Sequence, residues 1–406
     1  MIYLVSIGTF SSVILLLVAL LLFVETRVAQ KGDSRIVING DTDNSMTVRT
    51  GTSLLSVLNQ NEIYLPSACG GSGSCGQCRC KVINGGGDIL PTELPHLSRA
   101  DKQQNIRLAC QLKIREDMQI EIPPEIFAIE KYEATVVSNQ SIGTFIKELA
   151  VKLDMNREIS FEAGQYMQID IPPYRALFSE FNIPEPFKQT WDRFELWSLE
   201  AFNDEPVYRA YSLANPPAEN SPLMFTVRIA TPPPAQPGAP PGVGSSYLFS
   251  LKSGDRLSLS GPFGDFRVAQ TPREMCFIGG GAGMAPMRSQ IRDQLLYQKT
   301  TRPMSFWYGA RNRQEMLYDE EFRELAEQFD NFSYQAALSE PLPEDNWEGM
   351  TGFIHQSLEQ YFLQPHPDPS EVEYYLCGPP MMLRACLQTL DSFGVDPEMI
   401  AYDEFS

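Results

Sequence analysis

Four cysteines, Cys69, Cys75, Cys78 and Cys110, have the spacing of a metal-ligand set. The first three lie in Ala68-Cys69-Gly70-Gly71-Ser72-Gly73-Ser74-Cys75-Gly76-Gln77-Cys78, and the fourth follows in Leu108-Ala109-Cys110-Gln111. Four thiolates on a glycine-rich loop suit a [2Fe–2S] cluster, since small residues let backbone N–H groups turn toward the sulfides. A structural zinc site uses the same ligand type, usually as two close pairs. The grouping here is three plus one, which favours the cluster. Such a centre moves one electron at a time. Cys80 reads as a small buried thiol beneath the loop.

Three further motifs can hold a nucleotide. In Tyr208-Arg209-Ala210-Tyr211-Ser212-Leu213, Arg209 can pair a flavin pyrophosphate. A strand returns Tyr211 to the face of Arg209, where it can lie on an isoalloxazine ring, and Ser212 can bond the ring edge. Gly242-Val243-Gly244-Ser245-Ser246-Tyr247-Leu248 reads as a glycine turn opening a helix. Its free N–H groups suit phosphate oxygens. Gly281-Ala282-Gly283-Met284-Ala285-Pro286 follows a strand and precedes a helix, and Pro286 in the first helical turn is tolerated. With Cys377-Gly378-Pro379-Pro380 after a later strand, it points to a second nucleotide site. The chain stops at Tyr402-Asp403-Glu404-Phe405-Ser406. Phe405 is either a frayed end or a ring that covers the flavin face opposite Tyr211.

These motifs need scaffolds. Residues 33–127 read as a small α+β domain: a hairpin of Arg35–Asp41 with Ser45–Thr50, a short helix capped by Thr52 or Ser53, and a closing strand at Met118–Ile122. Residues 130–270 show short strands broken by Gly and Pro, the pattern of an antiparallel β-barrel. Examples are Ala134–Ser138, Gln165–Ile171, Leu223–Ile229 and Arg256–Ser260. A proline-rich loop at Pro232–Pro241 interrupts it. So does an acidic, aromatic insertion at about Phe178–Pro206, read either as packed surface or as a docking face for a partner subunit. Residues 271–406 alternate strand and helix, as in a parallel α/β domain. Strands are expected at Met275–Ile278, Met304–Tyr308, Phe332–Ala336 and Tyr374–Leu376, a turn at Gly279–Gly283 and a helix at Met287–Gln298.

The chain has 406 residues, 43% of them apolar, with 32 basic and 51 acidic side chains and a net charge of −19. That charge argues against nucleic acid. The clustered cysteines argue against a disulfide framework and for a reducing compartment. Ile2–Val24 carries no charge, and such a helix spans roughly 34 Å. Residues 1–26 are therefore expected to form a transmembrane helix. A cleaved signal peptide fits less well, because no Lys or Arg precedes the apolar run. Arg27, Lys31 and Arg35 follow it and place the C-terminal side in the cytoplasm. With no ionisable residue in the run, the helix reads as a tether, not an ion path.

The ordered motifs RxYS, GxxSxYL, GxGxxP, CGPPMM and a penultimate Phe resemble the ferredoxin–NADP reductase superfamily over nearly the whole chain. With a ferredoxin-like domain placed first and a helix before it, the chain is similar to the NADH-oxidising members of the sodium-translocating NADH:quinone oxidoreductase family. The resemblance implies a multi-domain fold: transmembrane helix, β-grasp [2Fe–2S] domain, FAD barrel and Rossmann-like NADH domain. It implies FAD contacts at Arg209, Tyr211, Ser212, Gly244, Ser245, Ser246 and Phe405. It implies NADH contacts at Gly281, Gly283, Pro286, Cys377, Gly378 and Pro379, with Cys377 near the nicotinamide. It also implies five other membrane subunits in a bacterial inner membrane, and electron flow to ubiquinone coupled to Na⁺ export. The C-x5-C-x2-C spacing exceeds the x4 of plant-type ferredoxins. A soluble NADH-dependent reductase of an oxygenase system would use the same modules; the N-terminal helix argues against it. A scaffold subunit with a decayed nucleotide site is disfavoured by the intact motifs. Arg311, in Gly309-Ala310-Arg311-Asn312, leaves NADH against NADPH open.

Overall fold

A computed structural model describes residues 10–20, 32–233 and 235–404. Residues 10–20 are helical and expose their apolar side chains, among them Phe10, Leu15 and Leu16. Among the described residues no helix is long and apolar enough to cross a membrane. The expected span runs past the described residues on both sides. The chain divides into two compact units. One comprises residues up to Leu65 with Gly71–Ala128, and the other Pro66–Gly70 with Ile129 onward.

In the first unit, β1 (Asp33–Ile38), β2 (Asp41–Arg49), β3 (Arg79–Asn84), β4 (Ile106–Leu108) and β5 (Met118–Glu121) form one sheet in the order β2-β1-β5-β3-β4. β1 runs parallel to β5 and the other pairs are antiparallel. The helix Leu54–Gln60 starts where Ser53 Oγ accepts the Ser56 N–H at 3.2 Å, and it buries Leu54, Leu55, Val57 and Leu58. β3 and β4 have no counterpart among the sequence expectations; they carry the chain between the cysteine loop and Cys110.

A buried ion pair locks this segment. Arg107 in β4 donates from Nη2 to Glu93 at 2.6 Å, with side chains only 4% and 0% exposed. Its Nε also donates to Glu93, Nη1 reaches the carbonyls of Gly86 and Gly87, and Nη2 that of Asp88, while Glu93 also accepts the N–H groups of Leu108 and Leu90. Burial alone would raise the Glu93 carboxyl, but Arg107 and these amides outweigh it and hold it below its ordinary value. Removing one partner of such a pair strands the other charge and costs about 3–5 kcal/mol. Arg107→Met should therefore lower the thermal midpoint of the first unit sharply, read by circular dichroism. An unchanged midpoint would show the pair to be dispensable.

In the second unit, β6 (Glu130–Gly143), β7 (Ile146–Leu153), β8 (Tyr166–Ile171), β11 (Val207–Ser212), β12 (Leu223–Arg228) and β13 (Arg256–Phe263) make an antiparallel sheet in the order β11-β8-β13-β6-β7-β12. A bridge between Leu213 and Phe225 joins its edges into a barrel. The insertion follows β9 (Tyr174–Leu177) and carries the helix Glu185–Arg193 and β10 (Glu200–Asn203), which returns to pair with β9. Its rings chiefly pack inward. Trp191 is fully buried and donates Nε1 to Thr144 O at 2.8 Å, and Phe178 and Phe181 join the barrel core. Phe194 and Phe202 stay exposed.

Lys147 is buried in the barrel, donating to Phe249 O at 3.0 Å, and Asn139 Nδ2 bonds the carbonyls of Leu248 and Leu251. Together they cap the C-terminal end of the helix Val243–Ser250. Burial pulls the Lys147 ammonium down to about 8. The folded chain thus holds this proton less tightly than the unfolded chain, so its contribution to stability rises with pH from about 8 toward 10.5. Wild type should gain up to about 2 kcal/mol relative to Lys147→Met over pH 8–10, measured by urea unfolding. A constant gap would contradict it.

β14 (Met275–Gly280), β15 (Met304–Ala310), β16 (Phe332–Leu338), β17 (Met350–Thr351), β18 (Glu373–Gly378) and β19 (Ile400–Glu404) form an all-parallel sheet, ordered β17-β16-β15-β14-β18-β19. β14 and β18 are buried throughout, as expected for strands covered on both faces. Two expectations are corrected. Gly279 and Gly280 belong to β14, not to a turn, because their missing side chains admit Phe306 and Met382. The next helix begins at Met284, not Met287, and runs to Arg292 before a wider π-type turn at Asp293–Tyr297. The chain end also forms a strand, β19, paired with β18.

Candidate functional site

The cysteine loop is held open by backbone conformations that favour glycine. Gly71, Gly73 and Gly76 have φ of +89°, +87° and +68°. A Cβ on Gly73 would stand 2.5 Å from Gln111 Nε2, and one on Gly76 2.8 Å from His96 Cβ. The Gln111 amide also reaches Cys110 Sγ at 3.5 Å and accepts from Thr92. β3 and β4 bring Cys78 and Cys110 together, since Ala109 N donates to Cys78 O at 2.8 Å. The Cys78 thiol is pushed far above its ordinary value, first by its hydrogen bond to Cys110, then by burial and the nearby Cys110 and Cys75. Thiols that resist ionising together are stabilised as thiolates by bound cations, so this donor set fits a cluster. Cys69 is buried as well. Among the described residues no three His, Cys, Asp or Glu side chains converge on one ion position. A [2Fe–2S] cluster asks for no such convergence, because each iron takes two of the four cysteines. Cys80 lies in β3 opposite Arg107, with its thiol pushed up to about 12 by burial.

The second arrangement joins β11 to a helix N-terminus. Arg209 and Tyr211 sit on one face of β11, against Gly244. A Cβ there would stand 2.7 Å from Arg209 Cγ and 2.9 Å from Tyr211 Oη, so only glycine fits. Gly242 starts the helix Val243–Ser250, leaving its first N–H groups free to receive an anion. Ser246 Oγ is buried without a hydrogen-bond partner. Ser245 differs: its hydroxyl already accepts from Ala230 N at 3.0 Å, which leaves its backbone N–H for a ligand. Ser212 is buried at the end of β11. These residues fit a pyrophosphate and a flat ring. Tyr174 carries no sequence signal for this site. Its hydroxyl donates to Val243 O at 2.5 Å and steadies the first helical turn, a contact between segments far apart in the chain.

The third arrangement lies at the C-terminal ends of β14 and β18, where the strand order reverses. Gly281 takes φ +55°. Gly283 packs so closely on β18 that a Cβ would stand 2.1 Å from Cys377 O. Pro286 is buried in the first turn of the following helix. Gly378 is packed against Met382 and Gly280, and Pro379 precedes the helix Pro380–Ser392. Burial, then the charge of Asp403, hold the Cys377 thiol well above its ordinary value, so it stays protonated. Asp403 itself is pushed up to about 6 by burial. Asn312 Oδ1, beyond β15, is buried without a partner. Arg311 pairs with Glu315 at 3.0 Å and lies over the Phe145 ring. Phe405 lies outside the described residues.

Known families match in the same order along the chain. A 2Fe-2S iron-sulfur cluster binding domain matches residues 36–115, an oxidoreductase FAD-binding domain 196–268 and an oxidoreductase NAD-binding domain 277–388. The chain is 48% identical over 403 residues to the F-subunit of a Na(+)-translocating NADH-quinone reductase from Haemophilus ducreyi, covering 99% of this chain and 98% of the relative. It is 49% identical over 396 residues to the corresponding protein of Klebsiella pneumoniae, covering 98% and 97%. The chain belongs to the F-subunit family of Na(+)-translocating NADH-quinone reductases. Two solved structures share the fold. The Amycolatopsis cytochrome P450 reductase GcoB aligns with a TM-score of 0.61 at 23% identity, covering 92% of this chain and 98% of that one. A ferredoxin reductase in carbazole 1,9a-dioxygenase aligns at 0.60 and 26%, covering 93% and 99%. A multi-domain ferredoxin-reductase fold that takes a [2Fe–2S] cluster, FAD and NADH is therefore established for the family to which these residues belong.

Proposed function

We propose that this chain is the electron-input subunit of a membrane Na⁺-translocating NADH:ubiquinone oxidoreductase. NADH gives a hydride to FAD, and single electrons then pass through the [2Fe–2S] cluster to other subunits. The flavin, when bound, supplies the conversion of a paired transfer into single ones. The chain's residues do the positioning. Arg209, the N–H groups of Gly244 and Ser245 and the Ser246 hydroxyl hold the pyrophosphate, while Tyr211 and Ser212 orient the ring. Gly281, Gly283, Pro286 and Cys377–Pro379 seat the nicotinamide nucleotide. A protonated Cys377 places no charge beside the transferred hydride. Cys69, Cys75, Cys78 and Cys110 ligate iron. The observation that carries this reading is one chain holding a four-cysteine loop, a glycine-cleared helix N-terminus and a dinucleotide turn, in that order.

NADH is favoured over NADPH because Glu315 already neutralises Arg311, the cation that a 2′-phosphate there would need. The apolar run Ile2–Val24 would tether the chain in the membrane, with the cofactor-bearing units in the cytoplasm. The test compares NADH and NADPH oxidation by membranes carrying the full chain. NADH-dependent, quinone-linked turnover in the membrane fraction supports the reading. A soluble protein passing electrons only to a ferredoxin or oxygenase partner would overturn it.

A further inference from the structure

The helix Met284–Arg292 is buried along eight successive residues, yet three consecutive ones are polar: Arg288, Ser289 and Gln290. Each donates to a main-chain carbonyl of the barrel. Arg288 Nη1 reaches Ala214 O at 3.0 Å, Ser289 Oγ reaches Asn215 O at 2.8 Å, and Gln290 Nε2 reaches Phe266 O at 2.7 Å. Desolvating these groups is unfavourable unless their bonds are made. Such bonds fix both distance and direction.

Both ends of this contact matter. Ala214 and Asn215 follow, after one intervening residue, the end of β11, which carries Arg209, Tyr211 and Ser212. The helix opens on the Gly281–Gly283 turn, about one turn before Arg288. The guanidinium is a junction: its Nε pairs with Glu321 at 2.9 Å and its plane lies 4.6 Å over the Tyr318 ring. Tyr318 in turn donates to Glu148 of β7 at 2.5 Å. Ala214 is tied to β12 through Met224 O, and Asn215 accepts the Met224 N–H. The flavin segment and the dinucleotide turn are thus set in one register.

We propose that Arg288, supported by Ser289, is a positioning residue for hydride transfer. It touches neither cofactor and acts by holding the helix that seats the nicotinamide against the strand that seats the flavin. This rests on the function proposed above. Transfer needs the reacting atoms about 3–3.5 Å apart, and a misplacement near 1 Å can cost about a hundredfold in rate. Nucleotide affinity, spread over many contacts, should move far less.

The test uses the full chain loaded with FAD and cluster, mixed anaerobically with NADH or NADH deuterated at C4. For Arg288→Met we expect full FAD content, an NADH dissociation constant within about threefold of wild type, and flavin bleaching slowed about 10- to 100-fold. A deuterium isotope effect at least as large as in wild type, and partial recovery in Arg288→Lys, are also expected. Ser289→Ala, the milder variant, should show the same split if Arg288→Met fails to fold. Wild-type bleaching rates in FAD-loaded variants would overturn the proposal. So would slowing explained wholly by lost FAD or lost NADH affinity. Failure of the wild-type chain to bleach with NADH would instead overturn the underlying function.

Discussion

Cys75→Ala will keep NADH-to-flavin reduction and lose every electron beyond it. In the proposed ligation the substitution removes one of four thiolates, so one iron would be left with a single cysteine. The flavin and nicotinamide motifs belong to the other compact unit, whose barrel and α/β cores use no residue of the cysteine loop. Their chemistry should therefore be untouched. Stopped-flow absorbance should show flavin bleaching by NADH at the wild-type rate. The electron paramagnetic signal of a reduced cluster should be absent, and quinone reduction by the assembled complex abolished. Lost flavin bleaching in folded, FAD-loaded Cys75→Ala would mean that electrons do not travel in the proposed order.

Gly283→Ala will do the reverse and block entry. The new Cβ would stand 2.1 Å from Cys377 O, 2.3 Å from Cys377 C and 2.6 Å from Gly378 N. These are main-chain atoms of a buried strand and cannot swing aside. The turn or the end of β18 must therefore shift by about an ångström, enough to slow hydride transfer about a hundredfold. The same overpacking should cost about 1–3 kcal/mol of stability. FAD should stay bound, because its proposed contacts lie on the barrel and the helix Val243–Ser250. Dithionite should still reduce it. Gly254→Ala, outside these motifs, is the control: its Cβ meets nothing within 4 Å, and only the φ of +92° resists, by about 1 kcal/mol. Near-normal bleaching by NADH in Gly283→Ala would show that the close approach does not govern the site.

Local chemistry is legible in the sequence. The cysteine loop, the glycine turn before Val243 and the Gly281–Pro286 turn are short segments whose residue types dictate their backbone. Ser53 as helix cap, and the alternating strands of the barrel, follow from the same short-range rules. Long-range partners are not legible. Glu93 and Arg107 are ordinary charged residues until β4 brings them together beneath the loop. Gly279 and Gly280 resemble a turn until the sheet requires their missing side chains. The C-terminal segment resembles a tail, because nothing local marks Ile400–Glu404 as the strand beside β18. Arg288 and Ser289 read as one polar step in a helix until the barrel carbonyls of Ala214 and Asn215 stand opposite them.

Paired reducing equivalents enter at the flavin and leave singly through the iron–sulfur centre: the whole mechanism turns on that division. An anaerobic titration of the fully loaded chain with NADH, followed by absorbance and electron paramagnetic resonance together, reads both halves of it at once. Bleaching of the flavin accompanied by growth of a reduced-cluster signal is the expected result. A bleached flavin beside a cluster that stays oxidised under excess NADH would refute the mechanism.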